Sequence, residues 1–215
     1  MNKVHDVELL IVGNEILRGD RRDAHLGFLG NRLLDFGVRL DAAHVVVDDR
    51  AEIARAVEDA RGRTRALVVS GGLGPTHDDV TREGVADGLG VGLEFDDRQW
   101  KRIREYFQRF GRSISESNRR QAFFPKGAAP IDNARGTAPG FMIDTGDFFV
   151  AVLPGPPREF QTMLETGVFE AIGSLFKRDG LVSRVFRTAG IGESTMAVFL
   201  ESLMARYPEF TLASL

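Results

Sequence analysis

The sequence predicts an α/β domain whose central sheet is mostly parallel and covered by helices on both faces. Three apolar runs, residues 7–12, 38–47 and 66–70, alternate with segments of helical periodicity. Uninterrupted apolar strands mark a sheet buried on both sides, and a βαβαβα order makes neighbouring strands parallel. A glycine turn follows the third run directly, at the strand end where such sheets hold their ligands.

Residues 7–12 read as a strand stopped by Gly13. Residues 13–23 are polar and glycine-containing and read as a loop. Asp23 can cap a helix over 24–36, with Leu26, Leu29, Leu33 and Leu34 on one face and Gly37 at its end. A second strand is expected over 38–47. Asp49 can cap a helix over 50–61 that turns Ile53, Val57 and Ala60 inward. The third strand, 66–70, leads through the glycine turn to a helix over 80–89. Residues 97–110 read as a helix with Trp100, Ile103, Tyr106, Phe107 and Phe110 on its apolar side, a stripe that packs in the core or stacks on a ligand ring. A short helix is expected over 117–124, stopped by Pro125. Residues 141–144 and 147–153 read as a hairpin around Thr145-Gly146. Pro154-Gly155-Pro156-Pro157 breaks the chain before a helix from about Arg158. Beyond Asp179-Gly180 the pattern is strand over 182–188, helix over 192–207 and strand over 210–215, a small α+β segment that reads as incomplete.

The 215 residues suffice for one sizeable core plus a small appendage. A net charge of −3 argues against a dedicated nucleic-acid binder. Of 28 cations 24 are arginine, which favours bidentate phosphate contacts. With no cysteine, thiolate catalysis, zinc–thiolate sites and disulfides are excluded. Neither a signal-peptide pattern nor a membrane-length apolar run occurs, so a cytoplasmic location is expected.

Four loops carry candidate chemistry. In Ser70-Gly71-Gly72-Leu73-Gly74-Pro75-Thr76-His77-Asp78-Asp79, glycines let the backbone approach a ligand and the next helix offers N–H groups to an anion. Asp78 and Asp79 could hold a divalent cation against it, or simply cap the helix. Glu15, in a loop with Asp20 and Asp23, is a second metal-ligand candidate or one charge of a solvated acidic loop. Asn133 and Gly136-Thr137-Ala138-Pro139-Gly140 form a rigid turn suited to lining a nucleotide or pterin pocket, or an ordinary tight connection. Pro154, Gly155 and Arg158 repeat the strand–glycine–helix pattern, and Arg158 can pair with a phosphate or with a surface carboxylate. No P-loop, dinucleotide fingerprint, zinc-hydrolase histidine pair or serine-hydrolase elbow is present. His77 lies inside the glycine loop, where it could act on a proton or serve as polar filler.

Taken together, the glycine loop continued by Val80-Thr81, Asn118-Arg119-Arg120-Gln121-Ala122, Gly136-Thr137-Ala138-Pro139-Gly140-Phe141 and Leu153-Pro154-Gly155-Pro156-Pro157 occur in one order. This order resembles the N-terminal molybdopterin-binding (MoCF biosynthesis) domain of the CinA competence/damage-inducible family, over about residues 5–175. Residues 186–194 resemble the start of the KH-like segment that follows there, so 181–215 is expected to be its beginning. The resemblance implies a three-layer α/β/α fold. It gives metal and phosphate handling to Asp79 with Asp78, matches Glu15 to the family's Gly-x-Glu loop, and assigns Gly71, Gly72 and Gly74 to the phosphate turn. Asn118, Arg119, Gly136, Thr137, Pro154, Gly155 and Arg158 fall in the other ligand loops, where Arg119 or Arg158 would neutralise developing charge.

The sequence departs from the family pattern in the first loop. Asn14 stands where Thr or Asp is usual, and Asp23-Ala24-His25 replaces Asp-Thr-Asn. The implied activity is hydrolysis of ADP-ribose to AMP and ribose 5-phosphate with Mg²⁺, Mn²⁺ or Co²⁺. The alternative is molybdopterin binding or adenylyl transfer in cofactor biosynthesis. Nothing here resembles the family's C-terminal nicotinamide-mononucleotide deamidase domain, and that activity is not expected. The expected partners are a small nucleotide or pterin phosphate and, by analogy, further copies of the chain; membrane and nucleic acid are not expected. The Gly190-Ile191-Gly192-Glu193 stretch lacks the Gly-x-x-Gly pattern of KH loops.

Overall fold

The computed structural model describes residues 5–180, 184, 186–208, 210 and 212. The chain divides into two compact units, Met1–Leu181 and Val182–Leu215. In the first, β1 (His5–Val12) leads through a short helix α1 (Asn14–Leu17) and α2 (Leu26–Leu34) to β2 (Leu40–Val46). Then follow α3 (Arg50–Arg61), β3 (Thr64–Ser70), α4 (Thr81–Leu89), β4 (Leu93–Phe95) and α5 (Asp97–Arg109). A 3-10 turn, Glu116–Ala122, precedes β5 (Phe123–Pro125), β6 (Ala129–Ile131), β7 (Gly140–Asp144) and β8 (Phe149–Leu153). Two helices, α6 (Pro157–Met163) and α7 (Phe169–Phe176), close the unit.

The main sheet has six strands in the order β2-β1-β3-β8-β7-β6. The first four are mutually parallel, β7 is antiparallel to β8, and β6 is antiparallel to β7. A separate antiparallel pair joins β4 to β5. The predicted three-layer arrangement holds, and the period-2 alternation of the strands explains it. Val7, Leu9 and Ile11 of β1, with Ala66 and Val68 of β3 and Ala151 and Leu153 of β8, face one layer. That layer is α2, through Leu29 and Leu33, and α6–α7, through Phe160, Met163, Phe169 and Ile172. The alternate residues Leu10, Val12, Leu67, Val69, Val150 and Val152 meet Ile53 and Val57 of α3 and Val85 and Leu89 of α4. Each large side chain so buried contributes about 2 kcal/mol. On the second face α3 and α4 pack tightly: a Cβ at Gly84 would lie 2.7 Å from Ile53, and one at Gly88 would lie 2.6 Å from the Ala54 carbonyl.

Helix α3 begins where the cap places it, because the Asp49 carboxylate accepts from the N–H groups of Ala51 and Glu52. Asp23 likewise accepts from His25 and Leu26 at the start of α2. Elsewhere the structure departs from expectation. The 13–23 loop contains α1. The expected helix at 117–124 is instead a tight 3-10 turn followed by β5. On α5 only Gln99 and Ile103 are buried, while Trp100, Tyr106 and Phe107 are half-covered and Phe110 is 56% exposed. The stripe is therefore covered at Ile103 and open at Phe110.

In the second unit, α8 (Glu193–Arg206) matches the expected helix. Residues 184 and 186–188 are not in a strand. The rest of the predicted 182–188 strand, and residues 211 and 213–215 of the predicted 210–215 strand, lie outside the described residues. Among the described residues, no helix is long and apolar enough to cross a membrane.

Candidate functional site

Because β1, β2, β3 and β8 run parallel, their carboxyl ends open on the same edge of the sheet. The segments leaving those ends carry Glu15, Asp48, the Gly71–Gly74 turn and Pro154–Pro157, and all of them line one cleft of about 430 Å³. The cleft falls where ligands bind in sheets of this class.

The glycine turn is forced by its neighbours. Gly71 has φ +103° and its N–H donates to the Leu153 carbonyl at 3.0 Å. A Cβ there would stand 2.1 Å from the Val12 carbonyl oxygen. Gly72, at φ +63°, has Thr81 Oγ1 2.1 Å from the position of a Cβ. The chain of β3 therefore turns between the ends of β1 and β8, with room for backbone alone.

Asp79 organises the rest of the loop. Its carboxylate accepts from Gly74 N–H at 2.8 Å, Thr76 N–H at 2.8 Å and Thr76 Oγ1 at 2.6 Å. The Thr76 hydroxyl also contacts Asp78, so one proton is shared by two carboxylates. That hydrogen bond, aided by His77 and Arg120, holds the exposed Asp78 carboxyl below the ordinary aspartate range. Arg120 reaches the loop as well, donating to the Thr76 carbonyl at 2.5 Å and pairing with Glu83 at 3.0 Å.

Asp48 faces the same cleft, and sequence reasoning missed it. Partial burial raises its pKa first, the Asn14 N–H at 2.8 Å opposes that, and the charges of Glu15, Asp78 and Asp79 raise it further. The charges of Glu15, Asp78 and Asp79 thus all reach Asp48, which is an environment that favours a cation. Among the described residues, no three acidic or histidine side chains come together as a ready-made metal cage. The arrangement suits a hard cation that takes one or two carboxylate oxygens and draws its other ligands from water and a bound phosphate, the usual manner of Mg²⁺.

Of the residues singled out in the sequence, Glu15, Gly71, Gly72, Gly74, Asp78, Asp79, Thr137, Pro154 and Gly155 line the cleft. Asn118, Arg119, Gly136 and Arg158 do not. Asn118 is buried beneath the 3-10 turn, tied to Ser115 and Gln121. Arg119 lies over the Phe95 ring at 4.9 Å and pairs with Glu116. The tight turn moves successive side chains by about 120° rather than 100°, so Arg120 and Gln121 face the loops instead. At Gly136 the space for a side chain is filled by Glu159 and Asn133. Arg158 is exposed on the first turn of α6. The arginines at the cleft are Arg21 and Arg22, which follow α1.

The turn offers fewer bare amides than its glycines imply, since the N–H groups of Gly71 and Gly74 are already taken. No backbone partner occurs among the described residues for those of Gly72 and Leu73. His77 is not held in the cleft; its side chain is 98% exposed. His25 is, at 7% exposure, with Nδ1 3.1 Å from Ser70 Oγ and the ring 4.2 Å from Phe160. Burial pushes its pKa down, with Asp23 and the Gly155 backbone opposing. Ser70 and Asp23 both approach the same nitrogen, Nδ1, so the three residues do not form a nucleophile–base relay.

Comparison with known proteins adds a family. The family described as "Probable molybdopterin binding domain" matches residues 8–173. A CinA-like protein of Akkermansia muciniphila is 42% identical over 193 residues, covering 88% of this chain and 46% of the relative. One of Frankia casuarinae is 41% identical over 199 residues, covering 88% and 45%. The chain spans about half the length of the relatives it matches. Among solved structures, CinA of unknown function from Thermoplasma acidophilum superposes with TM-score 0.72 at 34% identity, covering 80% of this chain and 99% of that one. The molybdopterin biosynthesis enzyme MoaB of Thermus shares the fold, with TM-score 0.51 at 17% identity over 81% of this chain and 98% of its own.

Proposed function

The chain belongs to the molybdopterin-binding domain family and is CinA-like within it; from that premise we propose that it is a metal-dependent ADP-ribose pyrophosphatase. The observation that carries this reading is the convergence of four carboxylates and a glycine turn on one cleft large enough for a nucleotide. When bound, a divalent ion supplies Lewis acidity and lowers the pKa of a water that attacks phosphorus. One or two of Asp78, Asp79, Glu15 and Asp48 would hold it.

The chain's own groups do the rest. The glycine turn brings backbone, including the N–H groups of Gly72 and Leu73, against the diphosphate. Arg21 and Arg22 replace Arg119 and Arg158 as the cations that offset charge on the leaving phosphate. The proposed boundaries are 5–175 for this domain and 181–215 for the start of a KH-like segment, with self-association proposed by analogy.

The test is incubation with ADP-ribose and Mg²⁺, Mn²⁺ or Co²⁺. Release of AMP and ribose 5-phosphate is expected with at least one ion, and no AMP with any of them contradicts the proposal. A second reading, molybdopterin binding or adenylyl transfer, is favoured by the family's own description. Calorimetry separates the two: tight molybdopterin binding without turnover of ADP-ribose selects the second.

A further inference from the structure

One buried charge in the first unit has no carboxylate partner, and it lies behind the cleft. Arg82, the second residue of α4, is 2% exposed. Its Nη2 donates to the Leu73 carbonyl at 2.9 Å and to the Pro139 carbonyl at 3.4 Å. Its Nε has no partner. Among the described residues it makes no ion pair. The carboxylates whose charge it feels are Glu83 and Asp79; Asp79 is bonded to Gly74 and Thr76, and Glu83 to Arg120 through Oε1, while Glu83 Oε2 is buried without a hydrogen-bond partner among the described residues. Burial lowers the Arg82 pKa to about 10, so the side chain is still charged at neutral pH.

Such a charge is costly. An apolar residue of similar volume is usually as stable or more so at a buried ionic position, and packing alone does not account for an arginine here. What the guanidinium does is join two loops. Leu73 belongs to the glycine turn and lines the cleft; Pro139 follows Thr137 and Ala138, which line its other side. Gln121 reinforces the same hub, with Nε2 3.4 Å from the Leu73 carbonyl and 3.5 Å from Thr137 Oγ1.

We propose that Arg82 is a positioning residue: it ties the glycine turn to the 136–140 loop and sets a positive charge behind the turn, matching the cleft to a diphosphate ester. This deepens the functional reading above and rests on it for the ligand class, though the loop tie stands by itself. Bound diphosphate then adds to the partial compensation that Glu83 and Asp79 give this buried charge.

The test compares wild type with R82M and R82K. Methionine fills similar volume without charge or donor; lysine restores both. Amide hydrogen exchange is measured without ligand, and binding is measured by calorimetry with ADP and Mg²⁺. In R82M, exchange is expected to rise about tenfold in residues 71–76 and 136–140 together, with β1 and α3 unchanged. The melting temperature should equal or exceed wild type while ADP affinity falls at least tenfold, and R82K should recover most of both losses. Should R82M fail to accumulate, R82Q supplies the same comparison.

Unchanged exchange in either loop overturns the tie, as does a rise spread over the whole unit. Wild-type affinity in R82M overturns the electrostatic role, as does failure of R82K to recover binding. The functional reading fails separately, if the wild type neither binds ADP nor releases AMP. The exchange comparison needs no ligand and still decides the loop tie in that case.

Discussion

Replacing Asp79 with alanine is expected to lower ADP-ribose hydrolysis by about 10²-fold or more, the scale of loss when reacting groups are misplaced by about an ångström. The reason lies in how its oxygens are used. A carboxylate offers about four lone-pair sites; the N–H groups of Gly74 and Thr76 and the Thr76 hydroxyl occupy three of them. One is left for a cation. Asp79 is therefore the builder of the loop first and a candidate ligand second, and alanine removes both roles. The stability loss should be only about 1–2 kcal/mol, because the carboxylate is half-exposed and its partners can turn to water. Asp78→Ala should cost less activity, since Asp78 is exposed and anchors no backbone N–H outside its own turn. Steady-state kinetics on both variants checks this. Equal rates in wild type and Asp79→Ala would remove Asp79 from the proposed machinery.

Gly71→Ala is expected to be the most damaging single substitution in the turn. The left-handed backbone costs an alanine about 1–2 kcal/mol, and the new methyl would stand 2.1 Å from the Val12 carbonyl oxygen. Overpacking against backbone adds about 1–3 kcal/mol, for a total near 3 kcal/mol. Relief therefore has to come from the ends of β1 and β8, which are the strands that set the cleft. Urea denaturation should show the loss, and hydrolysis should fall with it. A variant within about 0.5 kcal/mol of wild type, the range of a neutral surface change, would show that the turn has slack.

Much of this architecture is legible in the residues, for local reasons. Asp49 followed by Ile53, Val57 and Ala60 marks a capped amphipathic helix whatever surrounds it, and α3 is that helix. The apolar runs of β1 and β3 could be buried on both faces only in a parallel sheet. The three-residue strands β4, β5 and β6 were not legible, because so short a stretch has no period to detect and is held in place by its tertiary partner. The 3-10 turn was read as a helix for the same reason. The resemblance pointed to Arg119, whereas Arg120 and Gln121 do the reaching.

At the site, the glycine turn and its aspartates announce themselves by composition. Asp48 does not, since beside Asp49 it reads as part of a helix cap. The available signal was a carboxylate directly after a predicted strand, on the edge already known to hold the ligand loops. Arg21 and Arg22 were hidden by the reading of 13–23 as a structureless loop, when α1 folds back and carries them to the cleft. The aromatics of α5 err the other way: the stripe predicts burial for all of them, yet Trp100, Tyr106 and Phe107 are half-covered and Phe110 is exposed.

The central claim is that acidic side chains and main-chain groups of this one cleft hold a metal and a diphosphate together. Crystals grown with ADP and Mn²⁺, with data collected at a wavelength where manganese scatters anomalously, test it most directly. The account predicts a manganese peak bonded to at least one of Glu15, Asp48, Asp78 and Asp79, with the diphosphate against the Gly71–Gly74 turn. Nucleotide bound elsewhere on the domain, or manganese bound away from all four carboxylates, would contradict it.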